Sequence, residues 1–397
     1  MLNPSRNLAR NFKRLYECKG SAFANTELKE FIAKGEIKPE EFSIRALAEE
    51  FVPDGREWVS MLDPRHVGGY VEAASFAVDT AAFSNITGQI VYSTILQAYD
   101  QVPNIISGMI PTMPTRFSGE KIAGMGQIGD AAEIVGEGED YPTYGVSEDW
   151  IETPQTYKRG FIVPVTREAI FFDRTNLIIQ RASDVGSWMR TNREKRAIDC
   201  VIDSALGVVN KVAGDHRYNW QGTSYASFQS STPWINIKTS NGLVDWTDID
   251  AAEQLWANMT DPFTGEPINV GGRTLLCCPE LQMTARSILT ATAWQVGDTT
   301  GTAPVRIGPN LVEGYSLVAS PQLKARLSYD SQATTHWYLA DMARAFMYSE
   351  NWPLTVVQAP PNSDDDFKRD IVAQYKASER GSFFTKDPRY IIKNTVA

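Results

Sequence analysis

The stretch from Asp173 to Val209 constrains the fold more than any other part of this chain. A helix-start signal lies between Asp173 and Asn176, and apolar residues then recur every three or four positions. These residues are Ile178, Ala182, Val185, Met189, Ala197, Val201, Ala205 and Val208. The spacing predicts a helix from Leu177 to Val209, about 50 Å long. A helix of that length is typical of a scaffold rather than of a catalytic element.

The middle of this predicted helix is densely charged. Its basic residues are Arg190, Arg193, Lys195 and Arg196, and its acidic residues are Glu194, Asp199 and Asp203. Several of them lie three or four positions apart, a spacing at which opposite charges can pair along a helix surface. Two interpretations are open: a solvated face, or a basic patch that receives an acidic segment of a neighbouring chain.

A second charged region is acidic. Residues 122–157 contain no Lys or Arg, and their Gly-rich middle, 124–149, carries many carboxylates. Because residues 157–165 alternate as a strand does, we predict a long hairpin within 116–168 that has an acidic tip. A projection of one sign needs a counter-charge elsewhere. We therefore predict that the acidic tip contacts the basic helix residues of an adjacent subunit, with Glu137, Glu139 and Asp140 facing Arg190, Arg193, Lys195 and Arg196.

Composition excludes several classes of protein. The formal net charge of -10 argues against a dedicated nucleic-acid binder, because such proteins concentrate Lys and Arg. The four cysteines have no zinc-like spacing and suggest no disulfide framework, which indicates a reducing compartment. There is neither an apolar run of membrane-spanning length nor a secretory signal.

Motifs that would carry chemistry are weak. Gly124, Gly126 and Gly129 match a dinucleotide fingerprint, but no buried strand precedes them and further glycines interrupt the helical stretch after them. The run 364–366 of three Asp lacks the spacing of a calcium loop. Cys277 and Cys278 lie on a predicted buried strand, where inert packing is expected. We predict no catalytic, cofactor-binding or metal-binding residue; a cytosolic enzyme of unknown chemistry, forming a small oligomer, stays as one alternative.

The remaining pattern gives an order of elements. Before the acidic region, the predicted elements are two short helices after Thr26 and from Pro39, an extended arm over 52–74 and a helix from Ser84 to Asp100. After the long helix come a helix capped by Thr247 or Asp248 and reaching Met259, a buried strand from Arg273 to Cys278 and a helix from Pro279 to about Leu289. Strands over 312–320, 336–348 and 352–357 follow, and the chain ends in a closing pair at 367–375 and 383–393 around a turn at 378–381.

This order resembles the major capsid protein of tailed bacteriophages, which has the Hong Kong 97-type fold shared with encapsulin shells. The resemblance spans about Phe83 to Val396, and it rests on Glu133–Thr143, Val163–Asp173, Trp337–Leu354 and Phe367–Lys393. It implies an α+β fold with a long spine helix, an extended β-hairpin loop, and peripheral and axial domains. The implied division is 1–82 extension and arm, 83–115 arm helix and entry to the peripheral domain, 116–168 extended loop, 169–244 peripheral domain with the spine helix 173–209, 245–357 axial domain, and 358–397 return strands of the peripheral domain.

The resemblance also implies a structural, non-enzymatic function in the virion. Copies of the chain would form hexamers and pentamers of an icosahedral shell around double-stranded DNA, assembled in the host cytoplasm with a separate scaffolding protein and a portal. No cofactor and no membrane are implied, and contact with DNA would be non-specific. Some members join subunits covalently through a Lys and an Asn; Lys121, Lys158 and Asn394 are of those types, but nothing in the sequence selects them. An encapsulin-like compartment that encloses a protein is the alternative.

Overall fold

The structure of this chain is a computed structural model. The described residues are 4–19, 21–34, 37, 43–51, 77–124, 135–140, 149–166, 177–205, 216–262, 264–296, 306–310, 312, 314–359 and 371–396. The chain divides into two compact units. The first unit comprises Met1–Pro103, Lys158–Thr191 and Trp352–Arg380, and the second comprises Asn104–Tyr157, Asn192–Asn351 and Gly381–Ala397.

Helices and strands alternate irregularly along the chain, so the predicted α+β class is confirmed. The helices in the described part are α1 Pro4–Lys19, α2 Ser21–Ala33, α3 Ile44–Phe51, α4 Ala77–Gln101, α5 Leu177–Val201, α6 Trp246–Ala257, α7 Gln282–Thr290, α8 Pro321–Tyr329 and α9 Met342–Ala345. The strands are β1 Thr112–Pro114, β2 Lys121–Ala123, β3 Trp150–Glu152, β4 Tyr157–Thr166, β5 Tyr218–Trp220, β6 Thr223–Tyr225, β7 Ile237–Lys238, β8 Thr274–Cys277, β9 Ala293–Val296, β10 Arg306–Pro309, β11 Ser316–Ala319, β12 Trp337–Ala340, β13 Phe346–Gln358, β14 Ile371–Thr385 and β15 Ile391–Asn394.

These strands form four sheets. Their orders are β1-β13-β14-β4, β10-β9, β11-β8-β12-β15-β7 and β2-β3-β5-β6. In the first sheet β1 runs parallel to β13, with Thr112 opposite Tyr348. In the five-stranded sheet the pairs β11-β8 and β15-β7 are parallel, and β12 runs antiparallel to both β8 and β15. The five-stranded sheet is therefore mixed, whereas β2-β3-β5-β6 is antiparallel throughout.

The core of the first unit includes the N-terminal helices. Phe12 of α1, Leu28 of α2 and Leu47 of α3 are buried in one apolar cluster with Ile90 of α4 and Tyr375 of β14. Helix α1 packs against α2 and α3, and both of these pack against α4. The predicted arm over 52–74 lies outside the described residues.

Helices α4 and α5 approach each other closely at Gly186. A Cβ added there would lie 2.3 Å from the carbonyl oxygen of Ile95 and 3.0 Å from the Cβ of Ala98. Such an approach of two helix backbones excludes every residue with a side chain unless the helices separate. The residue at position 186 thus sets the spacing of the two longest helices in the described part of the chain.

The spine helix is shorter than predicted. It begins at Leu177 as expected, but it ends at Val201, so its 25 residues span about 37 Å. Asp203 follows in the left-handed conformation, with φ at 53°. The backbone N–H groups of Asp203 and Ser204 bond to the carbonyl oxygens of Cys200 and Asp199, at 3.3 and 2.9 Å. This is a Schellman end, which satisfies the last carbonyl groups of the helix.

The five-stranded sheet of the second unit is buried on both faces. Leu275, Trp337 and Ile392 pack into one apolar cluster, whereas the alternate residues Leu276 and Tyr338 pack into another. Burial on both faces explains why these strands are continuous apolar runs in the sequence. The strand predicted from Arg273 to Cys278 and the helix after it are confirmed, with small shifts of their ends.

The predicted hairpin and closing pair need correction. Strand β4 exists as predicted, but it lies beside β14, and the antiparallel pair found within 116–168 is β2 with β3. No turn interrupts 378–381, because β14 is one continuous strand. Strand β15 pairs with β12, so the end of the predicted 358–397 segment lies in the sheet of the predicted axial region.

Candidate assembly surfaces

The acidic tip contains an ordered turn. The Glu139 backbone N–H donates to the Gly136 carbonyl oxygen at 3.1 Å, and the Gly136 N–H donates to the Glu139 carboxylate at 3.2 Å. Gly138, with φ at +88°, occupies the position where a turn of this kind requires glycine. Glu137, Glu139 and Asp140 are all exposed. We call these three carboxylates the acidic turn, and their contact with a partner stays a prediction.

The basic residues of α5 do not form the exposed patch that the sequence suggested. In the first unit, the Arg190 guanidinium lies 4.7 Å from the centre of the Tyr99 ring. In the second unit, Arg193 lies 4.2 Å from the Tyr348 ring and 3.6 Å from the Glu350 carboxylate. These side chains are held over aromatic rings of their own chain, where cation–π attraction adds to packing.

The other two basic residues of α5 differ in exposure. Arg196 is 1% exposed, its Nε donates to the Asn192 Oδ1 at 3.0 Å, and its guanidinium lies 6.0 Å from the Phe383 ring. Lys195 is only partly buried. Burial of its guanidinium disfavours Arg196 as a contact for an acid on another subunit, and the predicted contact itself stays a prediction.

Two acidic residues of α5 accept hydrogen bonds from groups outside the helix. Glu194 accepts hydrogen bonds from the backbone N–H groups of Ile106 and Ser107, at 2.7 and 3.0 Å. Asp199 is fully buried and accepts from Arg326, which favours the carboxylate, although burial dominates and raises the pKa of Asp199. Glu194 and Asp199 thus make contacts with residues far from the helix in sequence.

Sequence reasoning missed another basic surface. On β4, Lys158 and Ile162 are exposed, whereas Val163 and Val165 are buried. On the neighbouring strand β14, Lys376 is exposed between the buried Tyr375 and Ala377. The alternation along β4 was visible in the sequence. The adjacency of β4 and β14 was not, because it joins segments about two hundred residues apart.

Cys277, Cys278 and His336, the residues with reactive side chains that the sequence analysis or the fold singles out, are buried. Burial raises the pKa of Cys277 to about 12 and that of Cys278 to about 11, so both thiols stay protonated at neutral pH. Burial and the charge of Lys393 lower the pKa of His336 to about 4. No group of three His, Cys, Asp or Glu within the described residues is placed to hold a metal ion. The Asp run at 364–366 and residues 125–134 lie outside the described residues.

Two of the three residues considered for covalent joining have partners within the chain, whereas Lys158 is exposed. Asn394 is fully buried, and its Oδ1 accepts from the Asn241 side chain at 2.8 Å. The Lys121 ammonium group lies 3.6 Å from the centre of the Trp150 ring. A buried and hydrogen-bonded carboxamide is poorly placed to react with a Lys of another subunit.

The long helix, the paired long strands β13 and β14 and the doubly buried sheet all fall in the C-terminal part of the chain. A family model described as phage capsid protein matches residues 151–394, which is more than half of the chain and includes all of these elements. This chain belongs to the phage capsid protein family. The predicted resemblance is thereby confirmed, and the capsid protein's N-terminal helices α1–α4 lie outside the matched region.

Several solved structures are similar to the capsid protein at low identity. A virus-like particle from Pyrococcus furiosus is 10% identical, with 77% of this chain and 97% of that chain covered and a TM-score of 0.41. A Gordonia phage Cozz chain is 11% identical, with coverages of 84% and 98% and a TM-score of 0.42. A Mycobacterium phage Adephagia chain is 15% identical, with coverages of 74% and 91% and a TM-score of 0.42.

Among curated protein sequences, none matches the capsid protein. Within the described ranges, no helix combines the length and the apolar character needed to cross a bilayer.

Proposed function

We propose that this capsid protein is the major shell subunit of a tailed phage, with the Hong Kong 97-type fold. Copies associate as hexamers and pentamers into a closed icosahedral shell that encloses double-stranded DNA, with a separate scaffolding protein and a portal. The observation that carries the proposal is the family match over 151–394, which contains α5, β13, β14 and every strand of the five-stranded sheet.

The surface of a single chain supports association. Large apolar side chains are exposed in both units, among them Trp188 in the first and Val244 and Met283 in the second, which are 76% and 71% exposed. Exposed apolar and aromatic side chains of this size are common at protein–protein contacts. A shell needs several different contacts per subunit, and many modest contacts together give a stable closed structure.

Charge and chemistry also fit a shell wall. A net charge of -10 disfavours tight binding to the phosphate backbone, which suits a wall that DNA must slide past during packaging. The buried Cys277 and Cys278 thiols have raised pKa values and offer no activated nucleophile. The proposed role is therefore mechanical, in the virion, after assembly in the host cytoplasm.

The proposal is tested by assembling the purified chain with and without its scaffolding protein. Negative-stain electron microscopy and sedimentation velocity should detect closed shells, and nuclease treatment of particles from infected cells should leave protected double-stranded DNA. A species of a few hundred kDa that never closes, even with scaffold, would overturn the capsid role. Closed particles that protect an enzyme instead of DNA would point to an encapsulin-like compartment.

A further inference from the structure

We infer that one face of the sheet in the first unit receives the acidic turn of a second copy of this chain. This outer sheet face consists of Lys158 and Ile162 of β4, Val357 of β13 and Lys376 of β14. The inference rests on the proposed function, and it names the surface through which two copies meet.

The two faces of this sheet differ in burial, although Phe161, on the same side of β4 as Val163, is 49% exposed. Val163 and Val165 of β4 and Tyr375 and Ala377 of β14 point into the apolar core of the first unit. Because successive side chains of a strand alternate between faces, the residues between them point the other way. On that side Ile162 is 59% and Val357 is 52% exposed, and both lysines are exposed as well. Apolar area of this kind on the outward side favours covering by a partner.

Hydrogen bonds establish that the outward residues are neighbours. The Ala359 backbone N–H donates to the Gln374 carbonyl oxygen at 2.9 Å, and the Thr355 hydroxyl donates to the Ser378 carbonyl oxygen at 3.1 Å. Because residue 359 pairs with 374 and residue 355 with 378, β13 and β14 are antiparallel, and the same register places Val357 opposite Lys376. On the other side of β14, a Cβ at Gly160 would lie 3.0 Å from the Ser378 Cβ. Gly160 stands between Lys158 and Ile162, so β4 presents them beside the same part of β14.

The outer sheet face carries charge of one sign. None of the described residues of β4, β13 and β14 in the first unit places an acidic side chain on the outward side; the one glutamate of this stretch, Glu379, lies on the opposite side and is buried. Among the described residues of these three strands, the outward charges are therefore those of cations, Lys158 and Lys376 included. Two ammonium groups beside two aliphatic side chains suit a protein segment that supplies both carboxylates and apolar contact.

The acidic turn has the matching chemistry. Its three carboxylates are exposed, and no Lys or Arg occurs within residues 122–157 to neutralise them locally. Two hydrogen bonds between Gly136 and Glu139 shape the turn, and a segment that is already shaped loses less conformational entropy on binding. Nucleic acid is the less favoured occupant, since phosphate contacts make no use of Ile162 and Val357 and the chain as a whole is acidic.

The receptor expected from the sequence is weaker on physical grounds. Arg196 is buried, and Arg193 already contacts Glu350 and the Tyr348 ring. Lys158 and Lys376 are exposed and lie on a rigid sheet rather than on a helix whose cations are held inside their own chain. Long-range charge steering needs accessible charges, so the sheet is the better receptor.

The experiment uses two full-length variants with opposite defects. Variant one carries Lys158→Glu and Lys376→Glu, and variant two carries Glu137→Lys, Glu139→Lys and Asp140→Lys. Pairwise association is measured by sedimentation velocity below the concentration at which shells form, so the contact is read independently of shell closure. Each variant alone should associate about tenfold more weakly than the parent chain, and mixing the two should restore association, because each then presents the charge that the other needs.

Matched controls separate this contact from a general effect of charge. Lys19→Glu with Lys34→Glu changes the net charge equally at two other exposed lysines of the first unit and should leave association unchanged. Lys158→Arg with Lys376→Arg should also preserve it. Unaltered association of variant one, or failure of the mixture to recover, overturns the inference. Normal association with loss of retained DNA in variant one would instead identify a nucleic-acid face and overturn it too. Failure of the proposed function appears separately, as absence of closed shells from the parent chain.

Discussion

In the second unit the Glu194 carboxylate holds Ser107 by both of its donors, at 3.0 Å from the backbone nitrogen and 2.6 Å from the hydroxyl oxygen. The same carboxylate accepts from the Ile106 nitrogen at 2.7 Å. All three bonds are buried. Loss of the carboxylate therefore leaves two backbone N–H groups with neither a protein acceptor nor water to bond to. We expect Glu194→Ala to lower the free energy of unfolding by about 3 kcal/mol. Urea denaturation followed by tryptophan fluorescence measures this.

Ser107→Ala is the matched control for that prediction. It removes one hydroxyl but keeps both backbone bonds, so a loss of about 1 kcal/mol is expected. Equal losses for the two variants would show that Glu194 contributes through packing and not through the backbone bonds.

Acidification should weaken the second unit through His336. This side chain is buried, and both burial and Lys393 lower its pKa to about 4, below the value of about 6.5 for an exposed histidine. Because the pKa of His336 is lower in the folded state than in the unfolded state, the contribution of this neutral side chain to the free energy of unfolding is fully present above about pH 6.5 and is lost as the pH falls through about 4. Between pH 7 and pH 4.5 the parent chain should therefore lose about 1–2 kcal/mol more than His336→Gln, which cannot titrate.

Urea titrations of both proteins at the two pH values measure this difference. The comparison cancels the carboxylates that the two proteins share. Equal losses on acidification would contradict the assignment of acid sensitivity to His336.

Substitution of Gly186 tests the crossing of α4 and α5. Alanine is the better helix former by about 1 kcal/mol, so propensity alone predicts that Gly186→Ala stabilises the protein. The added Cβ, however, would lie 2.3 Å from the Ile95 carbonyl oxygen, a backbone atom that cannot move by itself. We expect the steric overlap to cost more than the helix propensity of alanine contributes, so the free energy of unfolding should fall by about 1–3 kcal/mol.

Thermal unfolding by circular dichroism provides the measurement for Gly186→Ala. Gly271→Ala is its control, since a Cβ at Gly271 meets no atom within 4 Å. A higher melting temperature for Gly186→Ala than for the parent chain would show that the helices separate at little cost.

Local patterns in the sequence predicted the elements whose signals are local. The spine helix begins at Leu177, and the buried strand β8 lies where an apolar run ends in two cysteines. The cap of α6 is Asp245, a little before the predicted Thr247 or Asp248, because the Asp245 carboxylate accepts from the Thr247 N–H at 2.8 Å. Such a difference lies within the usual uncertainty of helix ends.

Features that depend on distant residues were not predictable in the same way. Asp203 ends α5 in a left-handed conformation that glycine usually adopts, so the sequence carries no strong stop signal there. The helix cations appeared solvated because their aromatic partners, such as Tyr348 for Arg193, lie far away in sequence. The outer sheet face depends on β4 lying beside β14, which periodicity within either strand does not reveal.

Helix α5 and strands β13 and β14 each cross from one unit to the other without a break, and the first unit is assembled from three separate stretches of chain. This chain path limits where two related capsid genes can recombine. A single genetic crossover between two capsid genes cannot exchange one whole unit, and a crossover within these elements joins half of a helix or strand from each parent. Such hybrids must match both apolar cores at once. Viable recombinants of this capsid gene are therefore expected to have their junctions in the connecting segments.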